Sequence, residues 1–299
     1  MTPTHKPKEK LGTLEMIAAM FISGSIGLFV IKSEQPPADI VFFRCVIAFL
    51  CLLPMCFFSG QIKKEFLRPK KVAMMVASGL LLIFNWILLF KAFPLTSISL
   101  ATIVYHVNPF IILFLGAVVL KEKAPPSDGV WTALAFVGLL IIVGIGQTQL
   151  STQEFVGLGL VLIATSLYAC SVLITKKLTG TPPLLIVMVQ TLAGTLASLP
   201  LTSFPDFGAA AAQWPFIAAL GVIHTALLYW LIYSAISKIN LSAIAILSFI
   251  YPVSTIAFDY LFFDHVISFR QSIGAAMILV ATIGVKLHWK LAFRMGGHR

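Results

Sequence analysis

Ten apolar runs fill this chain: residues 11–31, 39–59, 72–93, 97–120, 128–147, 155–175, 183–202, 214–235, 240–262 and 268–288. A helix needs about 20 apolar residues to cross a hydrocarbon core of roughly 30 Å. Ten such runs leave little of the 299 residues for anything else. Charged residues make up 11% of the chain, against about 25% in an ordinary soluble domain, so its surface cannot be built for water. The runs are helix-length and continuous, unlike the alternating stretches of about ten residues that form membrane barrels. The sequence therefore predicts an all-α polytopic membrane protein with ten transmembrane helices. Lys6, Lys8 and Lys10 precede the first run as they would in a signal peptide, but no small-residue cleavage site follows, and a retained first helix is expected.

The net charge of +10 is explained by where the charges lie. With the N-terminus in the cytoplasm, seventeen of the 21 basic residues fall on the inner side, in clusters such as Lys63, Lys64, Arg68, Lys70 and Lys71. The opposite side holds Lys32, Lys91 and Arg270, while Arg44 lies within a run. The loops QTQLSTQE and TSFPDFGAAAAQ carry no Lys or Arg. This is the positive-inside pattern, and it predicts both termini in the cytoplasm. The lipid bilayer is the partner the charge distribution implies, and no basic face is left for nucleic acid. The four cysteines all lie within runs and read as small packing residues.

The runs divide into two copies. PPADIVFFRCVIAFLCLLP (36–54) and PPLLIVMVQTLAGTLASLP (182–200) share two prolines, sixteen residues and a third proline, at an offset of 146. Ser99 and Pro109 match Ser242 and Pro252 at an offset of 143. The predicted division is one repeat over 11–147 and a second over 155–288. Five spans per copy is an odd number, so the copies enter the membrane in opposite senses. Such inverted repeats recur in secondary transporters, with the substrate site near the midplane at the repeat interface.

With these features the chain resembles the drug/metabolite transporter superfamily, EamA type, as two five-helix units. The resemblance is carried by Arg44 in the second span and by NPFIILFLGAVVLKE, with Pro109 and Glu122. In the second unit Asp264 or His265 stands where that Glu is expected, and Gln190 replaces the basic residue. The resemblance implies a ten-helix carrier of small metabolites.

Several polar residues fall near the middle of their runs. His106 lies about 14 Å and His224 about 15 Å from the outer end of their spans at 1.5 Å per residue, near the midplane. Tyr168 and Tyr251 are central too, and Asn85 is close by. Pro109 has no N–H, so the Tyr105 carbonyl loses its helical partner, and Pro252 frees that of Ser248. In lipid such a group must be met by protein, water or ligand. These helix-kink prolines, set beside Tyr105, His106 and Asn108, suit a helix lining a wet central cavity. The alternative is hydrogen bonding between helices. Helical geometry puts Tyr105 and Asn108 on one face and turns His106 about 100° away, to the cavity edge or a neighbouring helix. Trp86 and Trp230, with Tyr229 and Tyr233, are candidates for aromatic walls or for packing. Trp131, Trp214 and Trp289 lie at run ends and read as an interfacial belt.

Glu15 and Asp259 lie within runs and are the candidates for ion coupling, each about a turn from a membrane surface. Arg44, equally shallow, is expected to snorkel outward or to pair with Asp259. No HExxH, GxSxG or Walker A motif is present, so neither catalysis, a cofactor, a metal site nor direct ATP drive is expected. The sequence thus predicts a secondary transporter of a small-molecule substrate, an exporter of an amino acid or related zwitterion, working as a monomer or homodimer by alternating access. Efflux of amphipathic drugs is the second reading. A membrane-embedded enzyme is a third, with His106 and His224 as two metal ligands.

Overall fold

The computed structural model describes residues 5–96, 101, 104–122, 125–143, 151–204, 212–263, 268–287 and 289. Among them the regular structure is entirely helical. Six helical stretches are long and apolar enough to cross a bilayer: Pro7–Ser33, Pro37–Phe58, Pro69–Ala92, Thr152–Lys177, Pro183–Leu201 and Trp214–Ile236. Four shorter apolar helices, Asn108–Val119, Pro126–Ile142, Leu241–Thr255 and Phe269–Val285, occupy the other four predicted runs.

The helices are α1 (His5–Gly24), α2 (Ile26–Ser33), α3 (Pro37–Phe58), α4 (Pro69–Ala92), α5 (Asn108–Val119), α6 (Pro126–Val143) and α7 (Thr152–Lys177). They continue with α8 (Pro183–Ser198), α9 (Trp214–Gly221), a π-helical turn (Val222–Leu227), α10 (Leu228–Ile236), α11 (Leu241–Leu247), α12 (Ile250–Phe263) and α13 (Phe269–Lys286). Each Pro-Pro pair starts a helix, with Pro37 opening α3 and Pro183 opening α8. Proline suits the first helical turn, where its missing N–H costs nothing.

The packing is exchanged with itself when the two halves are swapped. Helix α4 packs on α7, and correspondingly α1 packs on α10. Helix α5 packs on α7, and α1 on α12. Two contacts join equivalent helices of the two halves, α3 with α8 and α6 with α13, and a third, α5 with α11, joins the corresponding interrupted spans. At the α6–α13 contact, a Cβ on Gly138 would lie 2.7 Å from the carbonyl oxygen of Gly274. Only glycine permits that approach, the usual way helices gain contact in lipid without a hydrophobic drive.

The predicted single helices 11–31, 97–120 and 240–262 are interrupted. The first breaks at Ser25, between α1 and α2. The other two break at equivalent places, by turns at His106–Val107 and Ser248–Phe249, ahead of Pro109 and Pro252. The carbonyls that the prolines release are met by protein. Thr165 Oγ1 of α7 donates to the Tyr105 carbonyl at 2.8 Å, and Tyr251 N–H donates to the Ser248 carbonyl at 3.3 Å. The kinks therefore need no water or ligand to be stable, although each supplies a turn beside the cavity described next.

Candidate functional site

A cavity of about 150 Å³ is bordered by residues of both halves. It lies toward the bundle end where α2 and α4 terminate, bordered by Val30 and Phe93, and its lining on α10 ends at Ile232. Seven of the nine sequence-predicted residues border it: Trp86, Tyr105, His106, Asn108, Tyr168, Tyr229 and Tyr251. Most of the wall is aromatic. Trp86 and Tyr229 meet edge to face at 5.3 Å, with Trp86 Nε1 donating to Tyr229 Oη at 3.1 Å. His106 stacks on Tyr251 at 5.4 Å, and Tyr105 lies 6.2 Å from Tyr168.

His106 borders the cavity with Tyr105 and Asn108, one of the two places expected for it. The turn at His106–Val107 interrupts the helix, so the 100° spacing does not carry across this stretch.

Asn85 and His224 do not border the cavity and serve the packing. Asn85 is fully buried, its Nδ2 donating to the Ala164 carbonyl at 2.8 Å and its Oδ1 accepting from Tyr105 Oη at 3.4 Å. It adjoins Trp86 on α4, and only one of two consecutive helical residues can face a given side. His224 sits in the π turn with Nδ1 3.2 Å from the Ala219 carbonyl. A carbonyl only accepts, so Nδ1 carries the proton and Nε2 faces Ser25 Oγ at 2.9 Å. His224 thus pins the α1–α2 break to the second half.

Arg44 is the residue the sequence reading misplaced. It does not snorkel outward: it is 1% exposed and borders the cavity. Its Nε donates to Thr225 Oγ1 and its Nη2 to the His224 carbonyl, both at 2.9 Å. Its guanidinium carbon lies 3.9 Å from the centre of the Trp86 ring. The π turn supplies both oxygen partners, consistent with the frequency of such turns at functional sites. Among the described residues Lys238–Glu15 is the one ion pair, so Arg44 is a buried cation with no carboxylate beside it. The Asp259 side chain, its suggested partner, lies outside the described residues, as do Asp264 and His265.

Glu15 Oε1 accepts from Ser234 Oγ at 2.9 Å and pairs with Lys238 Nζ, just beyond the C-terminal end of α10. The turn between α10 and α11 is held there from three directions. Glu15 of α1 grips Lys238, Lys176 of α7 donates to the carbonyls of Ile236 and Ile239, and Glu122 Oε2 accepts from Leu241 N–H at 3.2 Å. Trp131, assigned to an interfacial belt, is 8% exposed and packs against Gly284 and Trp289. Trp230 turns outward, 37% exposed. No group of three or more potential metal ligands occurs among the described residues.

The family model for the EamA-like transporter family matches the sequence twice, over residues 10–144 and 155–287. An uncharacterised transporter of Bacillus subtilis, YxxF, is 31% identical over 92% of this chain and 90% of its own length. The pseudopaline exporter CntI of Pseudomonas aeruginosa is 26% identical over 92% of this chain and 96% of its own. A solved crystal structure superposes with a TM-score of 0.81 at 15% identity, covering 93% of this chain and 96% of that one. That last likeness speaks for the fold alone.

Proposed function

The chain belongs to the EamA-like transporter family, and from that premise we propose that it exports a small zwitterionic metabolite such as an amino acid. The observation that carries this reading is Arg44. A buried cation with no carboxylate beside it among the described residues is costly, and a guanidinium presents a rigid fork of donors matched to a carboxylate. A substrate carboxylate supplies the missing counter-charge, and the aromatic wall receives the rest of the molecule. The similarity to an exporter of Pseudomonas aeruginosa supports the direction. A cationic amphipathic drug fits the rings but meets Arg44 as a like charge. The function is that of a membrane transporter, with no catalytic step.

In this reading ten helices span the inner membrane as two inverted repeats, and both termini are cytoplasmic. The cavity then lies in the outer half, and the turn between α10 and α11 closes the inner side. Alternating access requires Glu15, Lys176 and Glu122 to release that turn. Reporter fusions after residues 65, 150 and 299 are expected to read inside, outside and inside. A C-terminus found outside refutes the ten-span arrangement.

Substrate class is tested by thermal unfolding of the purified protein. A ligand that binds the folded state at a hundred times its Kd adds about 2.7 kcal/mol of stability. Neutral amino acids are expected to raise the midpoint, and cationic amphipathic drugs and nucleobases are not. Stabilisation by the drugs alone refutes the zwitterion reading.

A further inference from the structure

Most polar groups bordering the cavity spend their hydrogen bonds on the protein itself. Ser23 Oγ donates to the Ala19 carbonyl and Ser248 Oγ to that of Ala245. Tyr105 Oη is turned to Asn85, and Trp86 Nε1 to Tyr229. Two groups stand apart from this economy. One is the Arg44 guanidinium, whose bonds to Thr225 and the His224 carbonyl leave its charge with no carboxylate beside it among the described residues. The other is Asn108, which is 4% exposed, borders the cavity, and has an Oδ1 that is buried without a hydrogen-bond partner.

A buried acceptor left unmet is costly, because the loss of its hydration is not repaid. The neighbouring Tyr105 carbonyl shows that this region does satisfy its acceptors, since Thr165 reaches across from α7 to do so. Asn108 is therefore the acceptor in this wall that is left for something outside the chain. What it calls for is an N–H or O–H donor.

We infer that Asn108 is a specificity-determining residue, whose Oδ1 accepts from the protonated amine of a substrate whose carboxylate is held by Arg44. The inference rests on the zwitterion reading above. The surroundings distinguish an amine from a hydroxyl. Tyr105, His106, Tyr168 and Tyr251 border the same space, and aromatic faces attract an ammonium group through the ring quadrupole. A neutral carboxamide suits a cation that must leave again, because it binds without the desolvated charge pair that a carboxylate would make. The two poles together discriminate against simple carboxylic acids, which leave Asn108 unmet, and against simple amines, which leave Arg44 unmet. A site built around a hydrogen-bonding group rejects analogues that lack its partner far better than an apolar pocket rejects a change of size.

The test compares two pairs of acids that differ only in the amine: leucine with 4-methylpentanoate, and phenylalanine with 3-phenylpropanoate. Affinities are read from the thermal stabilisation of the purified full-length protein. The wild type is expected to bind each amino acid at least about tenfold tighter than its des-amino partner. Asn108→Leu, which keeps the volume and removes the acceptor, is expected to erase that difference by weakening the amino acid alone. Asn108→Ala provides the same reading if leucine disturbs the start of α5. A variant that keeps the wild-type preference, or that loses both members of a pair equally, overturns the assignment. Wild-type protein stabilised by neither member of either pair overturns the zwitterion reading itself, and this inference with it.

Discussion

Arg44→Met is expected to abolish substrate binding while leaving the unliganded protein folded. Truncating one partner of a buried, hydrogen-bonded charge pair costs about 2–5 kcal/mol, so affinity for an amino acid should fall at least about thirtyfold. The effect on the empty protein has the opposite sign. Arg44 holds a desolvated charge with no carboxylate beside it among the described residues, and replacing a buried ionic group with an apolar one of similar volume is often neutral or stabilising. The lost bonds to Thr225 and the His224 carbonyl work against that gain, so the unliganded melting point is expected to change little. Arg44→Lys keeps the charge but not the planar fork that stacks on Trp86, and should fall between. Equal losses of binding and of unliganded stability in Arg44→Met would make Arg44 a structural residue.

Lys238→Met should have the largest effect on stability. It strands the Glu15 carboxylate between α1 and α10, where Oε2 is already buried without a partner. Breaking a largely buried ion pair from one side costs about 3 kcal/mol or more. Adding Glu15→Gln removes the stranded charge and should recover much of the loss, so the double-mutant cycle is strongly non-additive. The same variant loosens the turn between α10 and α11. A cysteine placed at Ile236 in a cysteine-free background is expected to react with a water-soluble thiol reagent at least about tenfold faster, as a loss of about 1.4 kcal/mol in closure implies. Unchanged labelling in a destabilised Lys238→Met protein would mean that the pair supports the fold but does not hold the inner side shut.

The architecture was legible in the sequence because lipid enforces it. A run of about 20 apolar residues has few alternatives to a helix, and the Pro-Pro pairs mark the starts of α3 and α8 directly. The site was legible in one dimension only. Counting residues from a span end gives depth, which marked His106, His224, Tyr168 and Tyr251 as central, and His106, Tyr168 and Tyr251 border the cavity. Direction is a separate property. His224 faces other helices, and no residue pattern announces the π turn that holds His224 and Thr225. Arg44 was misjudged for a related reason. It lies about 10 Å along α3 from Pro37, shallow enough to snorkel from a lipid-facing position. It does not, because the cavity sits toward that same end of the bundle.

The self-pairing of equivalent helices has a consequence for how the protein is made. Synthesis delivers the first half to the membrane before its counterpart exists. Helices α3, α5 and α6 each depend on a helix of the second half for a main contact, and Gly138 has nothing to fit against until Gly274 arrives. For that interval the newly inserted half must hold Arg44 in the bilayer without Thr225 or the His224 carbonyl, the oxygens that later solvate it. Assembly is thus a late event, completed only once the helices of the second half have followed the first. Until then the nascent chain is most exposed to degradation and to wrong partners.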